Sequence, residues 1–308
     1  MQAPDSKSLS DHLAQEFLTE KRRDRRWRNL RSFIWLAVII IYGYFLFDFD
    51  TPSTTLKGPY VSLVRLNGII MPGTPFSAQK VIPMLDAAFA DHNAKGVVIV
   101  INSPGGSPVQ ASIIHDRIMT LKARYHKKVA VVGEDSLASG AYLVATAADK
   151  IFVNRDTLTG SIGVIYSGFG FVDAMTKLGV SRRVYTAGEH KDRLDPFEKA
   201  DPADIEKLKS VMASVHQSFI NDVIQGRGSR LKGDQKTLFS GDFWSGSQAV
   251  ALGLADGTAN VWEVVKQEFG AKSMKNYTPR PSLLNDIANN LGSELHLMHD
   301  APVKTQAF

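Results

Sequence analysis

Three stretches of this 308-residue chain hold side chains and backbone groups that could make and stabilise a covalent intermediate. Ser139, in Leu137-Ala138-Ser139-Gly140-Ala141, is a candidate nucleophile. Lys191, in Gly188-Glu189-His190-Lys191-Asp192, is a candidate base. Upstream of both, Asn102-Ser103-Pro104-Gly105-Gly106 closes an apolar run and offers N–H groups for an oxyanion. A serine, a base and paired backbone donors are the parts of a hydrolase that works without a catalytic histidine.

Each part has an ordinary reading beside the chemical one. Ser139 follows a buried strand through a short loop, Gly133–Ala138, and precedes a small apolar helix pattern, Ser139–Ala148. That position supplies unpaired backbone N–H groups, but it is also where serine caps a helix. Adjacent glycines tolerate φ > 0 and can turn their N–H groups inward as a cradle. A tetrahedral oxyanion takes two donors: Gly106 (or Gly105) is one candidate and Gly140 the other. An ordinary turn would use the same glycines. Lysine titrates near ~10.4 and becomes a base at neutral pH only when desolvated. Glu189, His190, Asp192, Arg193 and Asp195 around Lys191 have the look of a solvated face. His190, and His115 beside Asp116, are the rival bases, and no histidine pair has zinc-site spacing. No metal or cofactor is expected.

These residues need a scaffold, and the pattern supplies one. Tyr60–Leu66 reads as a strand and Ala78–Asp91 as a helix. Gly96–Ile101 (GVVIVI) is a continuous β-branched run, the mark of a strand buried on both faces. Pro108–Ala123 has helical spacing through Ile113, Ile114, Ile118 and Leu121. Strands are expected at Lys128–Val132, Lys150–Val153 and Arg182–Thr186, and a helix near Phe171–Leu178. Pro202–Gly226 is the longest helical pattern, with Asp201 as cap and Pro202 in the first turn. This alternation predicts an α/β domain with a mainly parallel sheet, whose ligands sit at the C-terminal strand ends.

In front of the scaffold lies a basic stretch, Lys21 to Arg31, and then an apolar run, Phe33 to Phe47. Residues 30–49 are long enough to span a bilayer if Arg31 snorkels and Asp48 sits at the far interface. Seven Lys/Arg crowd the near side, against Lys57 and Arg65 beyond it. The positive-inside rule then predicts a cytoplasmic N-terminus and an extracytoplasmic domain, anchored in the inner membrane of a bacterial cell. A cleaved signal peptide is the other reading, but no A-x-A-like site follows the run. The net charge of +5 is concentrated in this tail, so nucleic acid is not an expected partner and anionic lipid headgroups are. There is no cysteine, hence no disulfide. The expected organisation is a tail over 1–29, an anchor over 30–49, a linker over 50–59, the α/β domain over 60–272, and a C-terminal helix and tail over 273–308. Leucines and Ile287 recur at helical spacing between Leu283 and Leu295.

Four segments in order, GVVIVINSPGGSPVQAS from Gly96, LASGAYLVATAADKIFVNRDTLTGSIGV from Leu137, AGEHKDRLDPF from Ala187 and FSGDFWSGSQAVALGLAD from Phe239, resemble the SppA-type signal peptide peptidases. The similarity runs over roughly residues 60–270. It implies a crotonase/Clp-protease-like core and a Ser–Lys dyad, with Ser139 as nucleophile, Lys191 as general base, Gly106 and Gly140 as oxyanion donors and Ser161 as a hydrogen-bond partner of the lysine. It also implies remnant signal peptides and other apolar segments as substrates. The length is that of the short, single-repeat members, which form closed homo-oligomers whose neighbouring subunits can complete each site. Ala141 departs from the glycine usual after the nucleophile. A catalytically inactive membrane scaffold and a crotonase-like acyl-CoA enzyme are the alternatives on the same fold; the extracytoplasmic placement disfavours the second.

Overall fold

The computed structural model describes residues 25–43 and 58–279, which belong to two separate compact units. In the first, residues 25–43 form helix α1, with Phe33, Trp35, Ile39, Ile40 and Tyr42 exposed. Among the described residues no helix is long and apolar enough to cross a membrane. The far end of the expected anchor (44–49), most of the linker (50–57) and the Leu283–Leu295 repeat lie outside the described residues.

The second unit opens with β1 (Tyr60–Asn67), α2 (Ala78–Ala90), β2 (Ala94–Ser103), α3 (Pro108–Tyr125), β3 (Val129–Ala138) and α4 (Gly140–Thr146). Then come β4 (Lys150–Val153), β5 (Leu158–Gly160), α5 (Val172–Leu178) and the long α6 (Pro202–Arg227). It closes with α7 (Gln235–Leu238), β6 (Phe243–Ser245), α8 (Gly246–Ala251), β7 (Gly257–Thr258), α9 (Val261–Phe269) and β8 (Ser273–Asn276). The strands form one sheet in the order β6-β5-β3-β2-β1-β8, with β4 also pairing β3 and β7. Every pairing is parallel except β5 with β6.

Period-two alternation fills both faces of this sheet. Val64, Leu66, Val97, Ile99, Ile101, Val129 and Val131 pack under α2, α3 and α4. Val61, Leu63, Val98, Val100, Ala130 and Val132 pack under α9 through Val261, Val264 and Val265. Each such side chain contributes roughly 1.5–3 kcal/mol on leaving water. The expected helices and strands recur here with two corrections. Gly133–Ala138 is not a loop but the second half of β3, which leaves β4 and pairs β5 instead. Its polar residues are held in extended form by Asn102, whose Nδ2 donates to Asp135 (2.7 Å) and whose Oδ1 accepts from Ser136 N–H (3.1 Å). Arg182–Thr186 is not a strand: the segment is exposed and irregular, and no edge among the described residues pairs it.

The far edge is tied down by one carboxylate. Asp91, with its side chain 7% exposed, accepts from Tyr60 Oη (3.1 Å), Lys275 Nζ (3.1 Å), Asn93 N–H (3.1 Å) and Tyr277 Oη. It thereby joins β1, α2 and the end of β8. Burial alone would push its pKa up, but these donors outweigh burial and hold it at about 2. With the folded value depressed, the stabilisation is present above the unfolded pKa of ~3.9 and is lost as pH falls through the folded value. Asp91→Asn should therefore lower unfolding free energy by about 2 kcal/mol at pH 7. The gap from wild type should close between about pH 4 and pH 2. Urea titrations across that range check it; a pH-independent gap would refute the assignment.

Candidate active site

Parallel pairing of β2 with β3 brings their C-terminal ends side by side, and the two loops of interest leave from there. Ser139 stands between β3 and α4 with φ 54° and ψ −129°, a conformation that costs a non-glycine residue of order 1–3 kcal/mol. Two backbone bonds hold it: Ser139 N–H donates to Gly160 C=O at 2.8 Å, and Ser139 C=O accepts from Leu143 N–H at 3.0 Å. The helix it introduces is buried throughout. A partly exposed serine on a strained strand-to-helix turn is how a sheet presents a nucleophile above a fixed scaffold.

The glycine loop lies directly against it. A β-carbon on Gly105 would sit 2.7 Å from Ser139 Cβ and 2.8 Å from Gly140 N; one on Gly106 would sit 2.2 Å from Ile70 C=O. Both residues have positive φ, 101° and 146°. Ile70 N–H donates to Gly105 C=O and Ser107 N–H to Ile70 C=O, so the loop is stitched on its other side to the segment after β1. Gly140 approaches Gly106 so closely that its β-carbon would lie 3.5 Å from Gly106 N. Among the described residues, neither the Gly106 nor the Gly140 N–H has an acceptor. Two unpaired donors on the segments around one serine are what a tetrahedral oxyanion would need.

Ser161 follows Gly160 with φ 51°, and its N–H donates to Asp242 C=O at 2.7 Å. Gly160 is pressed on Trp244, where a β-carbon would lie 2.5 Å from the indole. The structure thus brings Ser139, Gly106, Gly140 and the Ser161 segment together. It does not bring Lys191 to them. Lys191 is exposed in the turn after Gly188, and among the described residues its ammonium pairs with neither serine.

That turn belongs to an arm, residues 164–200, with a small order of its own. Phe171 N–H donates to Pro196 C=O at 2.6 Å, the Phe171 and Phe197 rings stack at 5.3 Å, and Arg182 lies over Phe197 at 4.9 Å while pairing Asp195. Arg193 reaches Asp204 on α6 at 2.8 Å. Ile165, Phe169, Leu178 and Tyr185 stay 76–90% exposed. The rival bases lie elsewhere: His190 is exposed on the same arm, and buried His115 contacts Asp116 at 3.0 Å. Ala141 is fully buried in the core, so the departure from glycine there is absorbed by packing. Sequence reasoning missed Ile70, Gly160 and Asp242, whose contributions are backbone contacts with no side-chain signature.

A parallel-sheet α/β core that sets a strained serine against two glycine donors is the architecture of Clp-type serine peptidases. Residues 62–177 match the Clp protease family and residues 122–274 match Peptidase family S49. These matches, with the relatives below, make the chain similar to SppA-type serine peptidases. It is 32% identical over 181 residues to the putative signal peptide peptidase SppA of Enterococcus faecium, covering 59% of this chain and 52% of that one. It is 28% identical over 220 residues to Protease 4 of Haemophilus influenzae, covering 67% and 34%. A protein of Brucella melitensis named Na(+)/H(+) antiporter NhaA is 42% identical over 240 residues, covering 76% of this chain and 32% of that protein. The chain thus spans between about a third and about half the length of these relatives.

Substituting Gly105→Ala must displace either Ser139 or Gly140 N. Peptide hydrolysis should fall on the order of 10²–10³-fold, the cost of losing one oxyanion donor. Circular dichroism should retain the wild-type sheet and helix signal. Wild-type turnover in the folded variant would contradict the assignment of this loop.

Proposed function

We propose that this chain is a membrane-anchored serine endopeptidase acting on remnant signal peptides and other apolar segments at the outer face of the membrane. The observation that carries the reading is Ser139, strained and partly exposed, beside the unpaired N–H groups of Gly106 and Gly140. The names of the Enterococcus and Haemophilus relatives support peptide substrates. Anchoring rests on the run over 30–49, helical as far as residue 43, and on the charge asymmetry about it. Antiport is not carried over from the Brucella protein, of which this chain spans a third.

The base of the dyad is Lys191, supplied by the arm of a neighbouring copy in a closed homo-oligomer. A lysine facing water is an ammonium at neutral pH and cannot take a serine proton. A single chain leaves Lys191 in water and leaves large apolar side chains of the same arm uncovered. Covering Ile165, Phe169, Leu178 and Tyr185 against a second copy would desolvate the lysine at the same time and favour its neutral form. Ser161 would then hold the amine by a hydrogen bond.

In the reaction, Lys191 Nζ takes the Ser139 hydroxyl proton as Oγ attacks the peptide carbonyl. The Gly106 and Gly140 N–H groups hold the negative oxygen. The lysine returns the proton to the departing amine, leaving an acyl-enzyme. Water, deprotonated by the same lysine, cleaves the ester and restores the serine. The exposure of Lys191 equally suits a scaffold without activity, and one experiment separates the two. Ser139→Ala and Lys191→Ala, each inactive alone, are unfolded, mixed in equal amounts and co-assembled. If each site draws its two residues from adjacent copies, about a quarter of wild-type activity should return. A mixture as inactive as its parents, in assembled particles, would remove the shared dyad.

A further inference from the structure

We infer that His216 is a positioning residue for the nucleophile, clamping the neck of the arm and holding the loop that fixes Ser139. The inference rests on the reading of Ser139 as nucleophile. His216 Nε2 lies 3.0 Å from Ile162 C=O. A carbonyl only accepts, so Nε2 carries the proton. Both the neutral tautomer with that proton and the imidazolium keep this donor, so the clamp holds in either charge state.

Its place in the fold gives the bond its meaning. Ile162 is fully buried and is the last such residue before the chain leaves for the exposed arm. The arm returns through α6, whose first turns are largely exposed. Phe219, one turn beyond His216, is the first residue of α6 to join the core. The bond therefore joins the exit and re-entry points of a 54-residue excursion. On the core side, Ile162 continues a short backbone chain: Ser161 N–H on Asp242 C=O, and Gly160 C=O accepting from Ser139 N–H. On the arm side, Arg193 ties the Lys191 turn to Asp204, three turns before His216 on the same helix. The imidazole is thus a side-chain link by which a displacement of the arm can reach the segment that holds Ser139. No other side-chain hydrogen bond among the described residues links α6 to the 160–163 segment.

The test uses the full chain with His216→Leu, which keeps bulk but removes the donor, and His216→Gln, whose amide presents an N–H near the Nε2 position. Two readouts are compared: amide exchange of Ser139 and of residues 158–163, and the rate at which Ser139 reacts with a fluorophosphonate. In His216→Leu, exchange should accelerate about tenfold, the loss of one bond to a buried carbonyl. The fluorophosphonate rate should fall between about tenfold and a hundredfold, as for a reacting group displaced by under an ångström. KM for a short peptide should stay within about twofold while kcat falls. His216→Gln should recover most of both losses. His216→Asn, polar but too short to reach, carries the same expectation should the leucine variant not fold. Unchanged Ser139 exchange in a folded donor-less variant would overturn the clamp, as would equal impairment of Gln and Leu. Exchange involves no chemistry, so a response there with an unreactive wild type would sink the peptidase reading and leave the clamp standing.

Discussion

Everything at this site depends on how closely two backbone segments meet at the ends of β2 and β3. Gly105 lies against Ser139 and Gly140 at distances no β-carbon could occupy, and Gly106 does the same against Ile70. The contact follows from the sheet. Parallel neighbours end on the same side, so the loops after β1, β2 and β3 converge, and the helices α3 and α4 start from that convergence. Removing the side chains lets the loops close to contact. Closing them leaves the Gly106 and Gly140 N–H groups without an acceptor next to one serine. The strain at Ser139 persists because its neighbours are buried and hydrogen-bonded around it.

The molecule divides its chemistry between two kinds of structure. Ser139, Gly106 and Gly140 sit on a core packed on both faces. The lysine sits on an arm whose aromatic stack and ion pairs give it local order but whose apolar side chains face outward. On the proposed reading, activity would be conditional on assembly, because Lys191 is exposed in the single chain.

The strands and helices that build the core were legible because their signals are local. GVVIVI can only be a strand buried on both faces, and Asp201-Pro202 starts α6 as read, with the Asp201 carboxylate accepting from Ala203 N–H. The end of β3 was not legible, because Glu134 and Asp135 look like a loop and are held extended by Asn102, Arg65 and Thr157, all distant in sequence. Arg182–Thr186 has strand-like composition but no partner edge among the described residues. The helix α9 carried a readable start, since Asn260 and Glu263 form a capping box ahead of an apolar stripe. Ser139, Gly106 and Gly140 could be proposed from residue type and spacing. The part played by Gly160, Ile70 and His216 could not, because contacts to a backbone carbonyl or N–H 20 or more residues away leave no pattern in the chain.

The most direct measurement is to react the full-length protein with a fluorophosphonate and map the modified residue by mass spectrometry. The account predicts a single adduct, on Ser139, absent after Ser139→Ala. An adduct on any other residue, or none on the folded and assembled protein, would contradict it.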